Sequence, residues 1–428
     1  MQIRPDLQLE DWIDPTRRVG FRVATGVSVL RDTGAAMDEI AVQLNIDQAG
    51  APDFVTLHYG ATRPAQQVCE SAGAVFGQTA LHGGSSCLGI MSNQGAEIED
   101  GHALGAFAIW DADGAYGTGS SSLAHNPRAT AAEATRAALQ QAGRMGEAPD
   151  LVWLTAAPGQ EEEILKGIKD VTGQPALIIG GSSADNDVSG GWSQMTAHGA
   201  LENSVVVSVL FPSVAMGCAF ESGYALTDQW GVVTRAVGRT VYSIDGRPAA
   251  NVYSEWTDGH VPVPTAGSAS VLEQAAMFPL GRRLTEIDNV TFHMLAHPAV
   301  AHADGRLDFF ADLNEGQTVW LMSGSEDSLV ERAGRIAASS REQVRGSISG
   351  ALMIYCGGCM LSVTQRMDEV AGNVAQALDG APFLGVFSFG EQGETLCGDS
   401  EHGNLMISCI TFGTDQSDKP KPEAWHLP

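Results

Sequence analysis

The sequence is short of positive charge, of aromatic residues and of long apolar runs, and each shortage excludes something. Lysine and arginine number 24 against 51 aspartates and glutamates in 428 residues, a formal net charge of -27. A chain that acidic repels phosphate backbones and anionic headgroups, so neither nucleic acid nor a membrane surface is an expected partner. No apolar stretch approaches the roughly 20 residues that a membrane-crossing helix needs. The opening residues, Met1 to Glu10, lack a basic patch followed by an apolar segment, so no secretory leader is expected. Seven cysteines without framework spacing then imply reduced thiols and a cytoplasmic protein.

Familiar cofactor signatures are missing as well. No Gly-x-Gly-x-x-Gly opens a helix after a first strand, and no Gly-Lys-Ser/Thr follows either Gly-Gly-Ser-Ser segment. The acidic run Asp185-Asn-Asp187 lacks the glutamate that closes an EF-hand loop. His293-Met-Leu-Ala-His297 lacks the glutamate of a zincin, which leaves its histidines structural. Cys397 and His402 are the nearby pair that could complete a zinc site with Cys356 and Cys359, but no metal ligand is assigned. His58, on an apolar strand, reads as a core histidine and not as a haem ligand, and the cofactor stays unassigned.

What is present is a globular composition, 44% hydrophobic and 18% charged, long enough for two domains. It also carries a repeat. Pro52-Asp-Phe-Val-Thr-Leu-His58 recurs in outline as Pro149-Asp-Leu-Val-Trp-Leu-Thr155, and Gly83-Gly-Ser-Ser86 recurs as Gly180-Gly-Ser-Ser183, both 97 residues on. Each copy reads as a buried strand, a helix (64–76, then 161–171), a strand ending in Gly-Gly-Ser-Ser, and a further strand (106–110, then 205–211). An alanine-rich helix over 129–145 connects them. Later segments repeat this grammar loosely: strand 317–322, helix 327–340, strand 351–355, helix 367–378 and strand 383–389. The expected fold class is α/β, with two domains of mixed β-sheets built from duplicated strand–helix–strand units and covered by helices. The expected divisions are an extension at 1–20, domains at 21–226 and 227–414, and a tail at 415–428.

The polar residues that leave these strands carry the candidate chemistry. Strand-to-loop exits are where α/β sheets commonly hold ligands, which selects Ser85, Ser86, Ser182, Ser183 and Asp185. Cys356-Gly-Gly-Cys359 stands between a strand and a helix, a context for a redox pair, an acyl-transfer nucleophile or a pocket wall. As a nucleophile, Cys356 needs a base, and the sequence points to none. Glu391 emerges from an apolar strand, where a carboxylate must be solvated, paired or aimed at a ligand such as an amino or guanidino group. Asn404, at the mouth of the next apolar run, shares that rim.

Three stretches resemble the FIST family, in which a FIST N domain precedes a FIST C domain. Gly231-Val-Val-Thr-Arg-Ala-Val-Gly-Arg-Thr-Val-Tyr-Ser-Ile-Asp-Gly-Arg-Pro248 with Asn251-Val-Tyr253 looks like the start of FIST C. Ile178-Ile-Gly-Gly-Ser-Ser-Ala184 looks like the late FIST N motif, and Tyr355-Cys356 with Phe387-Ser-Phe-Gly-Glu391 and Asn404 looks like the close of FIST C. The resemblance covers roughly residues 20–413. It departs from the family where Gly84-Ser-Ser-Cys87 replaces a Gly-Cys-Ser-Thr pattern and where Cys359 stands in place of a basic residue. The resemblance implies a stand-alone soluble sensor of a small polar metabolite, amino-acid-like in the family's proposed range, with a signalling partner in trans. It also leaves two alternatives. One is a hydrolase or lyase acting on a small amide or lactone through Cys356; the other is a haem-based nitric oxide sensor.

Overall fold

A computed structural model describes residues 20–123, 126–173, 176–287, 290–395 and 398–414. Cys397, the first 19 residues and the tail from Asp415 lie outside the described residues, and with them the zinc pairing of Cys397 with His402 and the expected fraying of the tail.

The fold is α/β, and three six-stranded mixed sheets dominate it. At the centre of each lies a parallel pair whose members are joined by a crossover helix: Phe54–Gly60 with Ala80–Ser86, Leu151–Ala156 with Leu177–Ser182, and Ile348–Cys356 with Phe383–Ser388. The crossover helices form where apolar residues recur at helical spacing. Ala65–Phe76 buries Val68, Cys69, Ala72 and Phe76, and Glu161–Thr172 buries Ile164, Leu165 and Ile168. The three acids Glu161, Glu162 and Glu163 occupy the first turn of Glu161–Thr172, where the helix dipole favours negative charge. In the third sheet the crossover is Met367–Ala377, preceded by the short helix Gly357–Ser362 that begins at the Cys356 exit.

The first strand of each parallel pair runs antiparallel to a long neighbour: Leu104–Trp110, Ser204–Phe211 or Met406–Gly413. A hairpin lent by another sheet's chain segment completes each one. Gln194–Thr196 pairs with Ala80–Ser86, Glu391–Glu394 with Leu177–Ser182, and Ile90–Ser92 with Phe383–Ser388. The donation is cyclic, so no sheet is complete without another. The glycines of the two Gly-Gly-Ser-Ser segments make this closure possible. A Cβ on Gly84 would lie 2.7 Å from Thr155 Cγ2, and one on Gly181 would lie 2.6 Å from Ser388 Cβ. These positions admit the neighbouring sheet.

Residues 225–323 form a separate nine-stranded sheet with its own core, in which Tyr253, Leu280, Leu307 and Val319 are fully buried. Arg239 ties this insertion to the second sheet. Its Nη2 donates to Glu161 Oε2 at 2.6 Å and to Glu162 Oε2 at 2.8 Å. No helix among the described residues is long and apolar enough to cross a membrane.

Candidate functional site

All eight residues selected from the sequence are buried, none more than 4% exposed. They divide into two groups. Ser85, Ser86, Ser182 and Asp185 have partners within the fold. Ser85 Oγ accepts from Ser193 N at 2.9 Å, and Ser86 Oγ accepts from Phe387 N at 2.9 Å, which staples the first sheet to the third. Ser182 Oγ donates to Glu161 Oε1 at 2.6 Å. The carboxylate of Asp185 accepts backbone N–H groups from Val188 at 2.6 Å, Gly190 at 2.7 Å and Gly191 at 2.8 Å, and so knots the loop of residues 184–193. Ser183 is buried against Gly84, and its Oγ has no hydrogen-bond partner.

Cys356, Glu391 and Asn404 come together where strand Ile348–Cys356 ends. Ser388 lies directly across the parallel ladder from Cys356, the register position that Ser85 and Ser182 hold in the other two sheets. Its Oγ donates to Glu391 Oε1 at 2.7 Å, while Met406 N donates to Oε2 at 3.0 Å. Burial, then the adjacent Cys356 thiol, push the Glu391 pKa well above the usual carboxylate range, and these outweigh the Met406 and Ser388 hydrogen bonds. Burial thus favours the protonated form of Glu391. Burial and the neighbouring Cys359 likewise push the Cys356 thiol well up, against the pull of the Gly358 and Cys359 N–H groups. The helix start does not activate this thiol.

Beside Cys356 opens a small pocket of about 40 Å³. Asn404 and His297 supply polar edges, while Phe310, Phe389 and Leu361 supply apolar walls and Val188 a flank. Asn404 Oδ1 accepts the His297 main-chain N–H at 3.1 Å. That bond fixes the amide orientation, because a main-chain N–H can only donate, and it leaves Asn404 Nδ2 as a buried donor with no partner. His297 Nε2 lies 2.9 Å from Leu272 O, an oxygen that can only accept. The ring thus carries its proton on Nε2 and a lone pair on Nδ1. Burial lowers its pKa to about 4, so the imidazole is neutral.

Backbone strain marks the same neighbourhood. Apart from Asn and Asp, the non-glycine residues with positive φ among the described residues are Leu88 at 58°, Val188 at 59° and Leu405 at 56°. Val188 lines the pocket, Leu405 follows Asn404 and packs beside Gly358, and Leu88 N donates to Asn186 Oδ1 in the knotted loop. A bulky residue held in this region costs about 1–2 kcal/mol, and such positions gather at ligand sites.

Residues 53–247 match the FIST N domain, and residues 249–394 match the FIST C domain. The chain belongs to the FIST family. FIST domains are described as small-ligand sensory domains in signal transduction. This FIST protein is also 31% identical over 106 residues to an uncharacterized protein of Methanocaldococcus jannaschii, MJ1623; the match covers 24% of this chain and about a fifth of the relative's length, 20%. A solved structure of PurLQS from Thermotoga maritima aligns over 94% of this chain and 74% of its own at 10% identity, with a TM-score of 0.20.

The haem carried by some FIST proteins does not fit the pocket of this one. About 40 Å³ holds a few water-sized groups and not a porphyrin, and His297 Nε2 is committed to Leu272. Among the described residues no cluster of three or more His, Cys, Asp or Glu side chains could hold a metal.

Sequence reasoning missed His297, Ser388 and Phe389. Ser388 had a signal, since Val386-Phe-Ser-Phe389 occupies the register of Gly-Gly-Ser-Ser. His297 had none. It follows the strand Val290–Ala296 of the insertion, and only packing brings it beside Cys356.

Proposed function

We propose that this FIST protein is a sensory protein that binds a small molecule in the pocket bounded by Cys356, His297 and Asn404. The observation that carries the reading is the unpartnered Asn404 Nδ2, a buried donor on a residue that lines the pocket. Leaving such a group unsatisfied costs about 1–3 kcal/mol, which a ligand acceptor atom recovers. The strained Val188 supports the reading, because it belongs to a loop that borders both the pocket and the first sheet. Trp192, in the same loop, packs edge-on against Phe389 with centroids 6.3 Å apart, so a filled pocket changes the setting of this loop. That change is the signal, read by a partner protein in trans in the cytoplasm.

The test is a thermal-shift and calorimetric screen of small polar metabolites against the wild type and Leu361→Trp. Leu361 is 43% exposed, so the fold tolerates the larger ring while the pocket fills. Binding that Leu361→Trp abolishes supports the site; binding that ignores it moves the ligand elsewhere.

A second reading, thiol catalysis on a small amide or lactone, is favoured by His297. Its neutral ring shares the pocket with Cys356 and carries a basic lone pair on Nδ1. Turnover that is lost in both Cys356→Ser and His297→Gln would establish it. Binding without turnover leaves the sensor.

A further inference from the structure

The pocket has no charged wall. None of its lining side chains is a lysine, arginine, aspartate or glutamate, and its one titratable ring, His297, has its Nε2 proton committed to Leu272. A charged ligand entering it would give up hydration with no counter-charge in return. What the pocket does offer is the unmet Asn404 Nδ2 donor, with the His297 Nδ1 lone pair carried by a second lining residue. Both groups are held in place, since the same two residues are joined by the His297 N–H to Asn404 Oδ1 bond. One donor beside one acceptor, backed by Phe310, Phe389 and Leu361, matches one functional group in particular.

We infer that the ligand is a small uncharged carboxamide or lactam with a short apolar tail. Its carbonyl oxygen accepts from Asn404 Nδ2, its N–H donates to His297 Nδ1, and its tail lies against Phe389 and Leu361. This inference rests on the pocket proposed above and narrows it, because an amino-acid-like zwitterion is excluded by the same walls.

Three probes with the same apolar tail decide it: isobutyramide, isobutyrate and isobutylammonium, titrated calorimetrically at pH 7. The amide should saturate with a Kd on the order of 1 mM, in keeping with six heavy atoms, and each ion should bind at least about tenfold more weakly. Asn404→Asp keeps the acceptor for the His297 N–H but removes the donor, and it should weaken the amide about tenfold or more. Leu361→Trp should also abolish binding and guards against a folding defect in the first variant. An ion that binds as tightly as the amide, and is blocked by Leu361→Trp, overturns the neutral class and leaves the pocket standing. A metabolite from the wider screen that Leu361→Trp blocks, when isobutyramide fails to bind, does the same. Amide binding indifferent to both variants, or the absence of any ligand that senses Leu361→Trp, removes the pocket itself.

Discussion

The two Gly-Gly-Ser-Ser exits and the Ser388 exit beside Cys356 occupy corresponding places in their sheets, yet they use their polar atoms differently. At the first two, Ser85, Ser86 and Ser182 bond to main chain or to Glu161, and the glycines let the next sheet close in. At the third, Ser388 braces Glu391, Asn404 keeps an unpaired donor, and a pocket remains open. Strand exits in an α/β sheet are places where sites can form. Whether one forms depends on whether a neighbour has already consumed the hydrogen bonds. Here neighbouring segments consume them at two exits, Ser183 Oγ apart, and the inserted sheet, through His297, walls a pocket at the third.

The largest test of that contrast is Glu161→Gln. It removes one of the two glutamates that hold the largely buried Arg239, and urea unfolding should show a loss of about 3 kcal/mol with ligand binding unchanged. The pH dependence follows from the same residue. Burial opposes its ionisation, but His402, Arg239 and the hydrogen bonds from Ser182 and Arg239 outweigh it and hold the pKa at about 2. A depressed carboxylate stabilises above its unfolded pKa of 4.5 and loses that contribution as pH falls toward 2. Wild type should therefore lose more stability than Glu161→Gln between pH 5 and pH 2 in acid-denaturation curves, to within the range about pH 5 to 2 where the two pKa values lie. Curves that stay parallel would break the account of this exit as structural.

Ser86→Ala comes next. It leaves the buried Phe387 N–H without its acceptor, and the expected cost in the same unfolding assay is about 1–3 kcal/mol. A smaller change would mean that the staple between the first and third sheets is dispensable. Val188→Gly relieves the left-handed strain at the pocket flank, and its midpoint should rise by the equivalent of about 1 kcal/mol while ligand affinity falls. A loss of stability would show that the Val188 side chain contributes more by packing than its backbone costs.

The smallest effect is expected of Glu391→Gln, because glutamine is nearly isosteric with the protonated form that burial favours. A carboxyl with a raised pKa contributes fully below its unfolded value of 4.5 and loses that contribution as pH rises toward the folded one. The variant lacks that loss. It should match wild type near pH 4.5 and become the more stable of the two as pH rises, measured as the difference in unfolding midpoint. A difference that grows toward acid would mean that Glu391 is ionised, and the contrast with Glu161 would vanish.

Much of the architecture could be read locally. The helix expected over 161–171 is Glu161–Thr172, that over 327–340 is Glu326–Glu342, and the strand expected over 383–389 is Phe383–Ser388. Periodicity and turn residues act within a few residues, so a linear reading reaches them. Cys356, Glu391 and Asn404 were legible as a group because each sits at the end of an apolar run. The partners of Ser85, Ser86 and Asp185 were not, and a serine with a partner looks the same in sequence as one without.

By itself, then, the order of residues determined the elements, the α/β class and the three strand ends worth attention. Apolar spacing, capping acids and glycine placement express local energies. Tertiary structure alone decided which exit became a site. Hairpins passed between sheets, His297 brought in from the insertion and the closure of glycine-lined strands all depend on contacts across tens to hundreds of residues. Burial then settled the chemistry, because removing water from Glu391, Cys356 and His297 favours their neutral forms.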